Sequence, residues 1–150
     1  MVYEGELLSS CPGNPFALGQ AYAVVVSPDW PNPWAHMLLN TGGVGGTYFH
    51  VAGRWVVPRY MSEDGYRRYL KESGKTELRR FPVEIPTPYS AMLELEELLS
   101  KPWGWWVVIH NCVTFVEEII VAGGGRPIHE GFLYNPLEGR QQTPGASGSW

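Results

Sequence analysis

Cys112 is the residue of this sequence with the clearest capacity for chemistry. It stands in the stretch His110-Asn111-Cys112-Val113-Thr114-Phe115-Val116, where Asn111 is a favourable helix N-cap. A cysteine in the first turn of a helix is close to free N–H groups and to the positive end of the helix dipole, and both favour thiolate over thiol. We therefore predict that Cys112 is a nucleophile. The alternative is a structural cysteine, because free cysteine is among the most buried residue types.

Two of the four histidines lie on predicted neighbouring strands, and a thiol nucleophile needs such a base. His36 lies in Trp34-Ala35-His36-Met37-Leu38-Leu39-Asn40, and His50 lies in Thr47-Tyr48-Phe49-His50-Val51-Ala52. If the strands form a hairpin with Asn40 opposite Gly46, the two histidines face each other on one side of the sheet, about 5 Å apart at Cβ. We predict that His36 is the base and that His50 orients it. The alternative is that each histidine is partly buried and bonded to backbone carbonyls.

The remaining candidate residues give weaker signals. We expect His110 to be structural or to lie at the rim of the site, and His129 has no assigned role. A zinc site needs three or four ligands at characteristic spacing, and the sequence contains neither Cys-x-x-Cys nor His-Glu-x-x-His. We therefore expect no metal and no cofactor. The glycine-rich stretch 42–46 lacks the Lys-Ser/Thr of a phosphate loop and is predicted to be a hairpin turn.

The elements that must position these residues are short strands and three helices. The predicted helices are Ser62–Ser73 with Ser62 as N-cap, Ser90–Ser100, and Val113–Ala122, which ends at three glycines. The predicted strands are Ala21–Val26, Trp34–Asn40, Thr47–Ala52 and Glu77–Ile85, with Arg54–Val57 as a further candidate. This order predicts an α+β fold in which an antiparallel sheet packs with helices.

Composition limits the organisation and the partners of the chain. The 150 residues fit one domain, predicted over residues 1–140 and followed by a flexible tail over 141–150. The net charge of −4 disfavours a nucleic-acid partner. We interpret the mixed basic and acidic segment 67–80 as solvated surface, and the alternative is a weak contact with anionic lipid or cell-wall polymer. No apolar run is long enough for a transmembrane segment and no signal peptide is recognisable. We expect a cytoplasmic protein, or one exported without a cleaved signal.

The order of these motifs resembles the circularly permuted branch of the NlpC-type, papain-like superfamily, whose best-known members are lecithin:retinol acyltransferase-like proteins. The resemblance covers about residues 20–125 and is carried by His36, His50 and the element Asn111-Cys112-x-x-Phe115. It implies a circularly permuted papain-like fold with Cys112 as nucleophile, His36 as base and His50 as orienting residue. The proline-rich segment 28–33 and the long interval between His50 and Cys112 depart from the pattern of the group.

The sequence therefore predicts a cysteine-dependent hydrolase that cleaves an amide bond through a Cys-His-His acyl-enzyme mechanism. Bacterial cell-wall peptide is the leading substrate. One alternative is a lipid-directed thiol esterase or acyltransferase, and another is a non-catalytic binding module on the same fold. Tyr22 is predicted to be an additional hydrogen-bond donor to the substrate. Trp105, in the Trp-rich stretch before Cys112, is predicted to line the approach to the nucleophile. A protein partner is left open.

Overall fold

In the part of the chain that the structure describes, the fold is an antiparallel sheet of five strands with helices on both faces. The computed structural model describes residues 2–7, 15–28, 35–51, 57–100 and 112–128. In these residues the strand order is β4-β3-β2-β1-β5, and the α+β prediction is confirmed. The strands are β1 (Ala21–Val26), β2 (His36–Thr41), β3 (Thr47–His50), β4 (Arg59–Ser62) and β5 (Glu77–Val83). The helices are α1 (Glu63–Ser73), α2 (Pro88–Leu99) and α3 (Cys112–Ala122), and a 3₁₀ helix spans Pro15–Gly19.

Alternation along the strands divides the interior into two clusters, because successive side chains of a strand point to opposite faces. On one face, Ala23, Met37 and Phe49 belong to a large apolar cluster with α2 and α3. On the other face, Leu38 and Tyr48 belong to a smaller cluster that includes residues of α1. The fold is therefore a three-layer arrangement, with α2 and α3 on one side of the sheet and α1 on the other.

The helix signals in the sequence are reproduced closely. Ser62 caps α1, and its hydroxyl accepts a hydrogen bond from the Gly65 N–H at 3.1 Å. The second helix begins two residues before the prediction, at Pro88, because proline fits the first turn of a helix without the loss of a hydrogen bond. The third helix ends at Ala122, before the glycines. Within the described ranges, no helix combines the length and the apolar character that crossing a membrane requires.

The strand signals are reproduced less completely. Strand β4 at Arg59–Ser62 was not predicted, and most of the candidate Arg54–Val57 lies outside the described residues. The predicted tail 141–150 also lies outside them.

The predicted register of the β2–β3 hairpin is wrong. Asn40 pairs with Tyr48 rather than with Gly46, and Thr41 pairs with Thr47. The loop 42–46 is accommodated by left-handed backbone at three glycines, such as Gly42 with φ of 86°, so Thr41 extends the strand. His36 and His50 are therefore not directly opposed. Because the error is two residues, both histidines still point to the same face of the sheet.

Candidate active site

Cys112 begins α3 and is packed into the larger apolar cluster. Its side chain is 7% exposed, and it shares the buried face of α3 with Phe115, Val116 and Ile119. Helix α3 packs against α2 and against β2. These four residues recur at helical spacing, and the buried face that they form fixes the position of the thiol relative to β2.

The thiol lies beside the backbone of β2, where β3 separates from it. The Met37 N–H donates a hydrogen bond to Cys112 Sγ, at 3.4 Å. Strand β1 pairs with β2 as far as His36 and so occupies one side of β2. The described β2–β3 pairing ends at Leu39 and Phe49. The Met37 N–H therefore bonds to the sulfur in the part of β2 that lies beyond the last described pair with β3.

The two histidines contact each other on the α1 face of the sheet. Nitrogen Nε2 of His36 lies 2.9 Å from Nδ1 of His50, and the rings meet edge to face with 5.1 Å between centroids. His50 is completely buried, and the ring of Tyr69 packs against it. The structure thus brings His36 and His50 together. Among the described contacts there is no hydrogen bond between the Cys112 thiol and the His36 ring, and the connection runs through Met37, the residue after His36.

The hydrogen-bond chain of the histidines defines which nitrogens carry protons. Nitrogen Nε2 of His50 lies 2.7 Å from the Glu4 carbonyl oxygen. A carbonyl oxygen only accepts hydrogen bonds, so His50 Nε2 carries a proton and donates to Glu4. In the neutral ring Nδ1 is then an acceptor, and His36 Nε2–H donates to it. A neutral His36 consequently has an unprotonated Nδ1, which is the nitrogen able to take a proton from a nucleophile.

Burial keeps both imidazoles neutral at physiological pH. The pKa of His36 lies well below its usual value because of burial first, and because of the nearby His50 and Lys75 charges second. Burial lowers the pKa of His50 to about 4, although the hydrogen bond to the Glu4 carbonyl acts in the opposite direction. The tautomers assigned above therefore apply to the resting protein.

Burial also determines the state of the thiol. It raises the pKa of Cys112 to about 11, and the backbone N–H groups of Met37, Cys112 and Val113 offset only part of the increase. The expectation that the helix start favours a thiolate in the resting protein is wrong, because the cost of removing a charge from water exceeds the gain from these groups. At rest the site holds a neutral thiol beside neutral imidazoles.

Lys75 is a cation near Cys112, His36 and His50, although the sequence analysis assigned Lys75 to solvated surface. Its Nζ donates to the Ser27 carbonyl at 3.1 Å, and Ser27 directly follows Val26, the strand partner of His36. The positive charge lowers the pKa of Cys112, His36 and His50. Its position depends on the turn after α1, where Gly74 adopts a φ of 68°, and residue spacing carries no signal for it.

Tyr22, one of the two predicted substrate-contact residues, is not brought to this site. Tyr22 pairs with Asn40 at the opposite end of the β1–β2 ladder from Val26 and His36. Four residues of strand separate these ends, roughly 13 Å at 3.3 Å per residue, and Tyr22 packs on the α1 side. Trp105 and His110 lie outside the described residues, so their assignments stay predictions, and Cys11 and His129 lie outside them as well.

Comparison with known proteins adds no relative. No protein-family model matches the sequence, and neither the curated proteins nor the solved structures gave a match. In the residues that the structure describes, no group of three or more His, Cys, Asp or Glu side chains is arranged to hold a metal ion. Function is therefore inferred from the geometry around Cys112 and from the resemblance of the motifs.

Proposed function

We propose that this chain is a cysteine-dependent hydrolase that cleaves an amide bond through an acyl-enzyme. Cys112 is the nucleophile, His36 is the general base and His50 orients His36. The observation that carries the proposal is the hydrogen-bond chain from His36 through His50 to the Glu4 carbonyl, beside a thiol at a helix start. A base held by a third group next to a nucleophile is the general arrangement of covalent catalysis.

The first half-reaction forms a thioester. The Cys112 thiol turns from the Met37 N–H toward His36 Nδ1, which takes its proton as the sulfur attacks the carbonyl carbon. The carbonyl electron pair moves to oxygen, where the N–H groups at the start of α3 stabilise the negative charge. The His36 imidazolium then gives its proton to the leaving nitrogen as the C–N bond breaks.

The second half-reaction restores the enzyme. His36 takes a proton from water, and the resulting hydroxide attacks the thioester carbonyl. The C–S bond breaks, the acid leaves and the proton returns to the sulfur. His50 supports both steps because its Nδ1 accepts from His36 Nε2–H while His36 is charged. With a pKa of about 4, His50 does not itself accept the proton that His36 takes from the thiol or from water.

The substrate that we propose is a peptide of the bacterial cell wall. A second candidate is a lipid ester cleaved or transferred by the same thiol, and it is favoured by the place of Cys112 within the larger apolar cluster, which also contains Ala35 and Val113. A third candidate is a binding module without catalysis. It is favoured by the high pKa of the thiol and by its hydrogen bond to Met37 rather than to His36.

Parallel incubation with two substrates tests the proposal. The wild-type chain and its Cys112→Ala variant are incubated with purified peptidoglycan and with phospholipid vesicles, with Cys11→Ala as the matched control. New amine termini from peptidoglycan, with intact lipid and no product from Cys112→Ala, are the expected result. Release of fatty acid or lysolipid supports the second candidate. If wild type and Cys112→Ala give no product from either substrate, the binding module is favoured.

A further inference from the structure

A main-chain carbonyl of the N-terminal segment ends the hydrogen-bond chain of the two histidines. Glu4 O accepts from His50 Nε2 at 2.7 Å. Because His50 is completely buried, its ring N–H requires an acceptor from the protein or from an ordered water. Glu4 is far from both histidines in sequence, so this contact exists only when the segment 2–7 lies against the sheet.

The segment is held there by close contact with β4. Glu6 and Tyr60 form an antiparallel bridge, in which the Glu6 N–H donates to Tyr60 O at 2.8 Å and the Tyr60 N–H donates to Glu6 O at 3.1 Å. The Arg59 guanidinium donates to Gly5 O at 3.2 Å. Gly5 itself has a φ of 109°, and a Cβ there would lie 2.9 Å from Tyr60 O. Glycine is therefore required at this position for both conformational and steric reasons.

The Glu4 carbonyl selects one of two proton arrangements in the histidine pair. In the present arrangement both rings carry their proton at Nε2, and His36 Nδ1 is free to act as base. In the reverse arrangement both rings carry it at Nδ1, so His50 Nε2 would face the carbonyl without a proton. Two facing acceptors in a buried place are unfavourable, so the carbonyl disfavours the arrangement in which His36 Nδ1 carries a proton and cannot act as a base.

We propose that the N-terminal segment, through the Glu4 carbonyl, is a positioning element that holds the His36–His50 pair in its reactive tautomer. The inference rests on the proposed function for its catalytic consequence, but the tautomers themselves are measurable without any substrate. Glu4 acts through its backbone, so its side chain is not required. Gly5 is the residue whose substitution displaces the carbonyl.

Nitrogen-15 NMR of the histidine rings at pH 7 tests the proposal on the full chain. In the wild type we expect His36 and His50 to be protonated at Nε2 and unprotonated at Nδ1. Gly5→Ala should give mixed tautomers and a kcat about ten- to a hundredfold lower with unchanged KM, since part of the general-base contribution is lost. Gly45→Ala is the matched control. Gly45 also has a positive φ, of 87°, and a Cβ there meets nothing within 4 Å, so we expect wild-type tautomers and turnover.

A second variant covers the case in which Gly5→Ala does not fold. Arg59→Met removes the hydrogen bond to Gly5 O without strain at the backbone, and it should shift the tautomers in the same direction to a smaller extent. A wild-type His50 protonated at Nδ1 would overturn the proposal, as would folded variants with unchanged tautomers and kcat. Wild-type rings as expected, in a protein that hydrolyses nothing, would uphold the tautomer assignment and refute the proposed function instead.

Discussion

Cys112 is subject to two opposing effects whose balance differs from that in an open active site. The N–H groups of Met37, Cys112 and Val113 stabilise negative charge on the sulfur, whereas burial opposes it and dominates. A fully exposed cysteine at the same helix start would have a lowered pKa. Under the proposed mechanism the thiolate therefore forms at the moment of reaction, with His36 as the proton acceptor, rather than existing beforehand as an ion pair.

The pH dependence of alkylation measures this balance. With a pKa of about 11, the thiolate fraction of Cys112 increases about tenfold for each pH unit between pH 7 and pH 10. We expect the rate of iodoacetamide modification at Cys112, followed by peptide mass spectrometry, to increase by the same factor without a plateau. A plateau near neutral pH would show that the thiolate already exists at rest.

Substitution of the histidines separates their roles. His36→Ala should lower kcat by roughly 100- to 10,000-fold, since it removes the general base, whereas His50→Ala should cost less because His50 only orients it. Tyr22→Phe is the control, because Tyr22 lies at the other end of β1, and we expect it to keep full activity. Equal turnover of both histidine variants and the wild type would refute the assignment.

At the scale of elements, the sequence predicts where most strands and helices lie, but it does not predict the strand register, which the loop conformation determines. The short apolar, β-branched run predicts β1 to the residue, and the predicted second strand overlaps β2 over His36–Asn40. Ser62 and the glycines after Ala122 predict the helix ends. The hairpin register depends on the left-handed glycines of loop 42–46, which residue spacing does not determine. The prediction that His36 and His50 lie on the same face is still correct, because side chains two residues apart on a strand point to the same side.

The parts of the site that sequence analysis missed come from long-range contacts. Glu4 reaches His50 through a main-chain carbonyl, and any residue type supplies the same atom. Lys75 comes near the histidines because the turn after α1 brings it beside the end of β1. Neither contact has a residue-type signature, so a search for nucleophile, base and orienting side chains cannot find them.

The end of α3 away from Cys112 is fixed by a close approach at Gly123. A Cβ at this position would lie 2.4 Å from Ile85 Cγ2 and 2.9 Å from the Ala91 Cβ. We expect Gly123→Ala to lower the free energy of unfolding by about 1–3 kcal/mol, because overpacking forces neighbouring atoms apart. The measurement is the urea midpoint at constant m-value.

The matched control for this prediction is Gly19→Ala, whose Cβ would have its nearest neighbour at 4.0 Å, on Pro88. It should leave the midpoint within experimental error of the wild type. If Gly123→Ala is equally neutral, α3 is not packed as closely against Ile85 and α2 as the contacts indicate.

At the scale of the whole molecule, the site lies at one end of a sheet that is covered on both faces. Cys112 comes from the α2–α3 side, whereas the histidines come from the α1 side. Strand β2 connects them, because its first residue is His36 and the N–H of the next residue, Met37, donates to the Cys112 thiol. The proposed proton transfer therefore requires the thiol to turn from the Met37 N–H toward the His36 ring.

Burial of the histidine pair lowers the stability of the folded protein in acid. The pKa of His50 is about 4 in the folded protein and about 6.5 in an unfolded chain. Below pH 6.5 the unfolded chain therefore binds a proton that the folded chain does not. We expect stability to be complete above pH 6.5 and to decrease by roughly 3 kcal/mol as the pH falls to about 4.

Chemical denaturation of the wild type and of His50→Gln, at several pH values between 4 and 7.5, checks this expectation. The variant has a lower starting stability, but its curve against pH should be flatter, because glutamine does not titrate. Parallel curves for the two proteins would show that His50 is not the group responsible.

Strand β5 is at one edge of the described sheet, and its Pro82 pairs with Tyr22 of β1. Proline has no N–H to give, so it is tolerated at an edge where that N–H would point outward, to solvent. A strand from a second molecule that tried to extend the sheet along β5 would find no donor at this point. At Pro82, β5 is thus a poor template for pairing with a second molecule.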